Sequence, residues 1–119
     1  MVEDEFLVAL HLKDLLHELG LNVVGHAARL AEALHLVQQR EDLAVAVLDV
    51  NLAGEMSWPV ARALRARGVP FVFVTGYLPA HTALPDDLAG ATMLSKPVDS
   101  RALGRTLALQ IRHGRGPAA

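Results

Sequence analysis

The stretch LAVAVLDVN, residues 43–51, decides the fold of this chain. Residues 43–48 are all apolar, and a short apolar run of this kind is typical of a strand buried on both faces of a parallel sheet. Asp49 follows this run directly, so buried backbone rather than a loop would hold its position. In an open α/β sheet, ligands bind outside the carboxyl ends of the strands, which is where Asp49 would lie.

Predicted helices and strands alternate along the rest of the chain. Helices are expected over residues 6–19, 28–39, 59–67 and 100–113, and strands over 21–25, 43–48, 71–74 and 91–95. Alternation of this kind indicates an α/β fold with a parallel sheet. The connections are too short for a linker or a second domain. Residues 1–119 are therefore interpreted as one domain, with a frayed tail over 114–119.

Two segments depart from this alternation. Residues 77–88 should hold a helix, but Pro79 and Pro85 interrupt its period, so a short, distorted or mobile helix is expected. At the start, only Met1 and Val2 precede Glu3, whereas a strand averages about five residues. The first strand is therefore expected to be truncated.

Composition excludes several classes of function. The chain has 119 residues, of which 52% are apolar, with a net charge of -2 and no cysteine. Disulfide frameworks and thiolate chemistry are therefore excluded, and no strongly basic balance indicates binding to nucleic acid or to a membrane. The first residues are acidic rather than basic, unlike those of a signal peptide, so a cytoplasmic location is expected.

Polar side chains with compatible chemistry fall at the predicted strand ends. Three crowded carboxylates would repel one another unless a hard cation neutralised them, and Mg²⁺ prefers oxygen ligands. A hydroxyl and an ammonium group would suit the oxygens of a phosphoryl group beside that cation. The pieces that would converge on this crevice are Glu3-Asp4, Asp49, Thr75-Gly76 and Lys96-Pro97.

Taken in chain order, this acidic pair, Asp, Thr-Gly and Lys-Pro resemble the pattern of the receiver domain of two-component response regulators. The resemblance covers residues 3–113. It implies a doubly wound, five-stranded parallel sheet in the order 2-1-3-4-5, here with a truncated first strand. It also implies Mg²⁺ as the cofactor and a histidine kinase or histidine phosphotransfer protein as the phosphoryl donor. The domain would be a phosphoacceptor with weak self-dephosphorylation rather than an enzyme, and it would signal through protein contacts.

The resemblance also assigns roles to individual residues near the acidic pair. Asp49 would accept the phosphoryl group. Glu3 and Asp4 would hold Mg²⁺ together with Asp49, and Asn51 would contribute its backbone carbonyl oxygen.

The remaining roles belong to residues at the next two strand ends. Thr75 would be the switch hydroxyl that moves toward the phosphoryl group, and Gly76 would leave room for a ligand or let the backbone approach it. Lys96 would pair with a phosphoryl oxygen, and the bond between Lys96 and Pro97 would be cis.

One part of the receiver pattern is changed in this chain. Residues 73–77 resemble the Phe-x-Thr-Gly-Tyr stretch of a subgroup of stand-alone receivers. Receivers typically carry an aromatic switch residue three positions before the lysine, and Met93 occupies that position here. Tyr77 is the candidate substitute for this aromatic residue.

Two other functions stay open. A receiver-like binding module that works without phosphorylation would fit the truncated strand and Met93, whereas the intact set of Asp49, Thr75 and Lys96 argues against it. A phosphohydrolase with an aspartyl nucleophile commonly carries a second Asp two residues on as general acid, and Asn51 cannot act in that way. A homodimer, formed through the last strand and helix or through strand exchange, also stays open.

Overall fold

Helices and strands alternate in the computed structural model, which describes residues 1–52, 54–76 and 84–114. The helices lie close to their predicted ends, which confirms the α/β class. They are α1 Phe6–Glu18, α2 Leu30–Gln39, α3 Trp58–Ala66 and α4 Ser100–Gly114, with a 3₁₀ helix over Asp86–Leu88. The strands are β1 Ala46–Asp49, β2 Asn51–Leu52, β3 Glu55–Met56, β4 Phe71–Thr75 and β5 Met93–Ser95.

Strands β1, β4 and β5 form a parallel sheet in that spatial order. Asp49 of β1 pairs with Val74 of β4, and Val74 pairs in turn with Leu94 of β5. Every residue of β1 and β4 is buried, whereas β5 at the edge is only partly covered. The apolar runs are therefore continuous because these central strands are covered on both faces.

Helices cover the two faces of the sheet. Val47 packs in one cluster with Leu12 of α1 and Leu107 of α4. Leu48, the next residue along β1, packs on the opposite face with Leu64 of α3. Successive side chains of a strand point to opposite faces, so one short strand anchors both layers. Full burial of each such leucine contributes about 1.5–3 kcal/mol to folding.

The first strand contributes a single residue to the sheet. Val2 forms parallel bridges with Ala27 on one side and Leu48 on the other. The Val2 N–H donates to the Val47 carbonyl at 2.8 Å, and the Asp49 N–H donates to the Val2 carbonyl at 2.8 Å. The prediction of a truncated first strand is thereby confirmed, and the spatial order is Ala27, Val2, β1, β4, β5.

The predicted strand over residues 21–25 is wrong. Residues 21–26 adopt no regular secondary structure, and the bridge to Val2 is made by Ala27. A strand needs backbone partners along its length, and the truncated first strand supplies them only to Gly25 and Ala27. The parallel sheet of the described residues therefore has three strands and two single-residue bridges, and the full five-stranded order stays a prediction.

A short antiparallel hairpin of β2 and β3 follows Asp49. The Gly54 N–H donates to Asn51 Oδ1 at 2.7 Å, and Gly54 has a φ of 93°, which glycine adopts without strain. Most of the distorted helix predicted over 77–88 lies outside the described residues, as do residues 115–119 of the predicted tail. Within the described part of the chain, no helix has the length and apolar character needed to cross a membrane.

Candidate functional site

The carboxyl ends of the parallel strands bring three predicted residues together. Asp49 ends β1, Thr75 ends β4, and Lys96 follows β5 directly. The ends of β4 and β5 are joined there, because the Lys96 N–H donates to the Thr75 carbonyl at 2.8 Å. A cavity of about 430 Å³ opens at this edge, lined by Asp4, Glu5, Asp49, Asn51, Gly54, Gly76 and Lys96.

Three carboxylates lie together at this edge of the sheet, and two of them, those of Asp4 and Asp49, line the cavity. Glu3, Asp4 and Asp49 each place one carboxylate oxygen within 4.8 Å of those of the other two. The acidic pair is held beside β1 because Val2, the residue before it, bridges to Leu48 of β1. The Glu3 N–H also donates to the Ala27 carbonyl at 3.0 Å. Glu3 is 1% exposed and Asp49 is 7% exposed, so water screens the repulsion between them poorly.

Lys96 supplies a positive charge to this cluster. Its Nζ lies 2.7 Å from Glu3 Oε2 and 3.2 Å from Asp49 Oδ2. The contact with Asp49 is a hydrogen bond, whereas the contact with Glu3 is an ion pair without hydrogen-bond alignment, so Glu3 Oε2 has no hydrogen-bond partner in the described chain. Burial acts to lower the pKa of Lys96, but its contacts with Glu3 and Asp49 outweigh that effect and raise the pKa.

The surroundings of Asp49 raise its pKa from 3.8 to about 7. Burial is the largest cause, and the neighbouring carboxyl group of Glu3 adds to it through a hydrogen bond and through charge repulsion. Lys96 acts in the opposite direction without offsetting these effects. The donor set, rich in hard oxygen atoms and short of positive charge, therefore fits a divalent cation such as Mg²⁺.

The other predicted site residues lie at the ends of β4 and β5 or beyond the described range. Thr75 is 1% exposed, and a Cβ atom added to Gly76 would meet no heavy atom within 4 Å, so Gly76 borders open space. The peptide bond before Pro97 is cis. Met93 is partly buried and packs against the core, and Tyr77 lies outside the described residues.

Two contacts that hold the acidic pair are not predicted by the sequence. The Glu5 N–H donates to Glu3 Oε1 at 3.2 Å, and the His26 ring donates from Nε2 to the Glu3 carbonyl at 3.1 Å. No motif marks His26, because it reaches the site only through the bridge between Val2 and Ala27.

Known proteins resemble this chain over most of its length. The family model for the response regulator receiver domain matches residues 1–108. The solution structure of SdrG from Sphingomonas melonis Fr1 is 38% identical, with a TM-score of 0.79, and the match covers 93% of this chain and 92% of that chain. The receiver domain of the PhyR response regulator from Erythrobacter litoralis is 26% identical, with a TM-score of 0.78, and the match covers 100% of this chain and 92% of that chain.

A third similar structure is the BeF3-activated conformation of SdrG from Pseudomonas melonis Fr1. It is 37% identical, with a TM-score of 0.75, and the match covers 93% of this chain and 92% of that chain. No curated protein matches the chain. The residues matched by the family model, 1–108, include the whole lining of the acidic cavity and all of β1, β4 and β5. The chain therefore belongs to the response regulator receiver domain family of two-component signalling.

Proposed function

We propose that Asp49 accepts a phosphoryl group in a reaction that depends on Mg²⁺, with a histidine kinase or a histidine phosphotransfer protein as the donor. The observation that carries this proposal is the setting of Asp49. A carboxylate oxygen of Asp49 lies within 4.8 Å of one from Glu3 and one from Asp4, and Lys96 Nζ lies 3.2 Å from Asp49 Oδ2. Phosphorylated Asp49 would then pass its signal on through protein contacts.

The transfer exchanges one bond to phosphorus for another. A carboxylate oxygen of Asp49 forms a bond to phosphorus, and the bond between phosphorus and the donor histidine nitrogen breaks. The electron pair of the broken bond stays on that nitrogen, and an acyl phosphate remains on the aspartate. Only the ionised carboxylate can act as the nucleophile, so Asp49 must lose its proton first.

The carboxylates of Glu3, Asp4 and Asp49 would hold Mg²⁺, and the family resemblance adds the backbone carbonyl of Asn51. The bound ion supplies positive charge that offsets both the carboxylates and the oxygens of the phosphoryl group. The close grouping of these three carboxylates supports the assignment, because each places one oxygen within 4.8 Å of those of the other two.

Lys96 and Thr75 would bind the phosphoryl oxygens. Lys96 contacts Asp49 in the structure, and in the phosphorylated protein its ammonium group would pair with a phosphoryl oxygen as a point charge. Thr75 follows Val74, the residue that pairs with Asp49 across the sheet, so its hydroxyl would donate to a second oxygen. Gly76 borders open space beside it.

Intact mass after incubation with acetyl phosphate tests this proposal. We expect one added phosphoryl group when Mg²⁺ is present and none when EDTA replaces it. The Asp49→Asn variant should stay unmodified, whereas Asp14→Asn, on the exposed face of α1, should be modified like the wild type. Absence of an adduct from wild-type protein that circular dichroism shows to be folded would contradict the proposal. That result would favour a receiver-like binding module that works without phosphorylation.

A further inference from the structure

A second cavity lies at the amino ends of β4 and β5, whereas the acidic cavity lies at their carboxyl ends. It has a volume of about 260 Å³, and residues 68–71 and 90–92 line it together with Arg65 and Gln110. Drug-sized ligands occupy pockets of about 300–1,000 Å³, so this cavity suits a smaller molecule. The proposed phosphoryl transfer uses none of these residues.

The cavity is open because β4 and β5 separate toward their amino ends. The Phe73 N–H donates to the Thr92 carbonyl at 2.9 Å, so the backbone of Thr92 faces β4. A regular parallel ladder would continue with a bond from the Thr92 N–H to the Phe71 carbonyl. Within the described residues, the N–H groups of Thr92 and Gly90 donate to no backbone carbonyl. Two backbone donors at this edge of the cavity are therefore left for an acceptor from outside the sheet.

Arg65 supplies the only charge among the residues that line this cavity. Its Cζ lies 5.6 Å from the centroid of the Phe71 ring, and its Nη1 donates to the Asp87 carbonyl, so two contacts orient the guanidinium group. The carboxylate of Asp87 accepts from Arg62 Nε at 2.7 Å instead. The Nε and Nη2 donors of Arg65 therefore remain for a ligand, and the side chain is exposed, so a ligand can reach it from solvent.

We propose that this cavity is a binding site for a small organic carboxylate. Its carboxylate group would accept hydrogen bonds from the Arg65 guanidinium, because the planar fork of that group matches the two oxygens of a carboxylate. Its apolar part would lie against Val69 and Ala91, which line the same cavity. The two backbone N–H groups at the edge of the sheet are further donors for the oxygens.

The charge of the cavity favours a carboxylate over a phosphate. One guanidinium balances a single negative charge, whereas a phosphate dianion would keep part of its charge uncompensated beside apolar walls. Thr92 adds a neutral donor rather than a second charge. Its Oγ1 accepts from Gln110 Nε2 at 2.9 Å, so the hydroxyl hydrogen stays available to a ligand oxygen.

An NMR titration with sodium butyrate tests this site, with butanamide as the neutral control of the same shape. We expect saturable shifts of the Gly90 and Thr92 amide signals with butyrate at millimolar concentration, and none with butanamide. Equal shifts with both compounds would overturn the proposal, because the charge of the carboxylate would then play no part. Tighter binding of sodium phosphate at the same ionic strength would overturn the choice of a carboxylate.

Variants of Arg65 test the role of the guanidinium group. Arg65→Met should weaken butyrate binding by about tenfold or more, because charge-assisted hydrogen bonds are lost. Arg65→Lys keeps the charge without the planar fork and should bind with an intermediate dissociation constant. The control is Arg101→Met, which removes one charge at an exposed position of α4 and should bind like wild type. Equal affinity of Arg65→Met and Arg101→Met, or of Arg65→Lys and wild type, would overturn the proposal.

A peptide with a free carboxyl terminus carries the same chemistry as a small acid. An acetylated alanine tripeptide should bind no more tightly than butyrate, because the cavity accommodates few heavy atoms. Tighter binding of this peptide would assign the cavity to the chain end of a protein and overturn a small acid as the ligand. The cavity shares no lining residue with the acidic cavity, so butyrate binding and modification by acetyl phosphate can fail independently.

Discussion

Asp49 lies among groups that disfavour its charge, although the proposed reaction needs its charged form. Burial and the Glu3 carboxyl group raise its pKa to about 7, and Lys96 compensates for only part of this effect. A cation bound beside Asp49 would offset this repulsion. It would therefore stabilise the folded protein and also favour the ionised carboxylate that the reaction needs. Replacement of Asp49 should therefore have opposite effects on stability and on function.

Replacement of Asp49 by Asn should stabilise the protein at alkaline pH when no metal is present. The pKa of about 7 in the folded protein lies above the ordinary value of 3.8. Stability from this group is therefore fully present below about pH 4 and is lost as the pH rises through 7. In EDTA, urea unfolding should give Asp49→Asn a free energy of unfolding about 1–3 kcal/mol above that of wild type at pH 8, with a smaller difference at pH 5.

A stability difference between Asp49→Asn and wild type that is the same at both pH values would contradict the raised pKa of Asp49. The control is Asp14→Asn, which changes the same functional group at an exposed position of α1. We expect this control to lack the increase between pH 5 and pH 8.

Replacement of Lys96 by Met should destabilise the metal-free protein. The side chains of Lys96 and Glu3 are 14% and 0% exposed, so the variant leaves a buried carboxylate without its counter-charge. Loss of one partner of a buried pair costs about 3–5 kcal/mol. Urea unfolding should show a loss near the lower end of that range in EDTA, and saturating Mg²⁺ should restore part of it.

The second lysine of the chain offers a matched control for this experiment. Lys13 lies exposed on α1, so Lys13→Met should change the free energy of unfolding by less than about 1 kcal/mol. If Mg²⁺ stabilises Lys96→Met no more than it stabilises wild type, the ion does not bind the carboxylates that Lys96 contacts.

Among the elements, the 3₁₀ helix Asp86–Leu88 shows which kind of contact holds a short segment. Leu88 is 0% exposed, whereas the Arg62–Asp87 ion pair at 2.7 Å joins side chains that are 47% and 54% exposed. Leu88→Ala should therefore lower the free energy of unfolding by about 2–4 kcal/mol. Asp87→Ala should lower it by less than about 1 kcal/mol, because exposed ion pairs contribute little. A larger loss for Asp87→Ala in urea unfolding would reverse this ranking.

The elements that the sequence predicted correctly are those whose signals are local. Apolar spacing marks the helices, and continuous apolar runs mark β1 and β4, because burial selects residue types directly. The strand expected over 21–25 fails for a non-local reason, since the first strand forms its bridge on this side at Ala27, beyond the predicted segment. The β2–β3 hairpin depends on a side-chain contact between Asn51 and Gly54 that no periodicity encodes.

The candidate site was predictable in its composition but not in its detail. Strand ends in a parallel sheet meet at one edge, so the convergence of Asp49, Thr75 and Lys96 follows from topology. The distances from Lys96 Nζ, 2.7 Å to Glu3 Oε2 and 3.2 Å to Asp49 Oδ2, depend on side-chain geometry. The contact of His26 with Glu3 likewise requires the bridge made by Val2, which sequence patterns do not reveal.

At the scale of the whole molecule, the acidic pair is connected both to the acidic cavity and to the sheet. The cavity supplies Asp49 and Lys96, and Val2, which directly precedes the pair, bridges to Ala27 and to Leu48 of β1. Binding of a cation to the folded form alone stabilises the entire domain by mass action, by about 2.7 kcal/mol at one hundred times the dissociation constant. Metal, proton and folding equilibria are therefore linked through one cluster of carboxylates.

This linkage predicts that protons and Mg²⁺ compete for the folded protein. Asp49, with a pKa of about 7, is mostly protonated at pH 6 and mostly ionised at pH 8. Because a carboxylate must be ionised to bind the ion, the affinity for Mg²⁺ at pH 6 should be about tenfold lower than at pH 8. Calorimetric titration at the two pH values should show this difference, with protons released on binding near pH 7. The Asp49→Asn variant should bind Mg²⁺ weakly and without this pH dependence, since it has no proton to lose at that position. An equal affinity of wild type at both pH values would show that Asp49 does not take part in holding the ion.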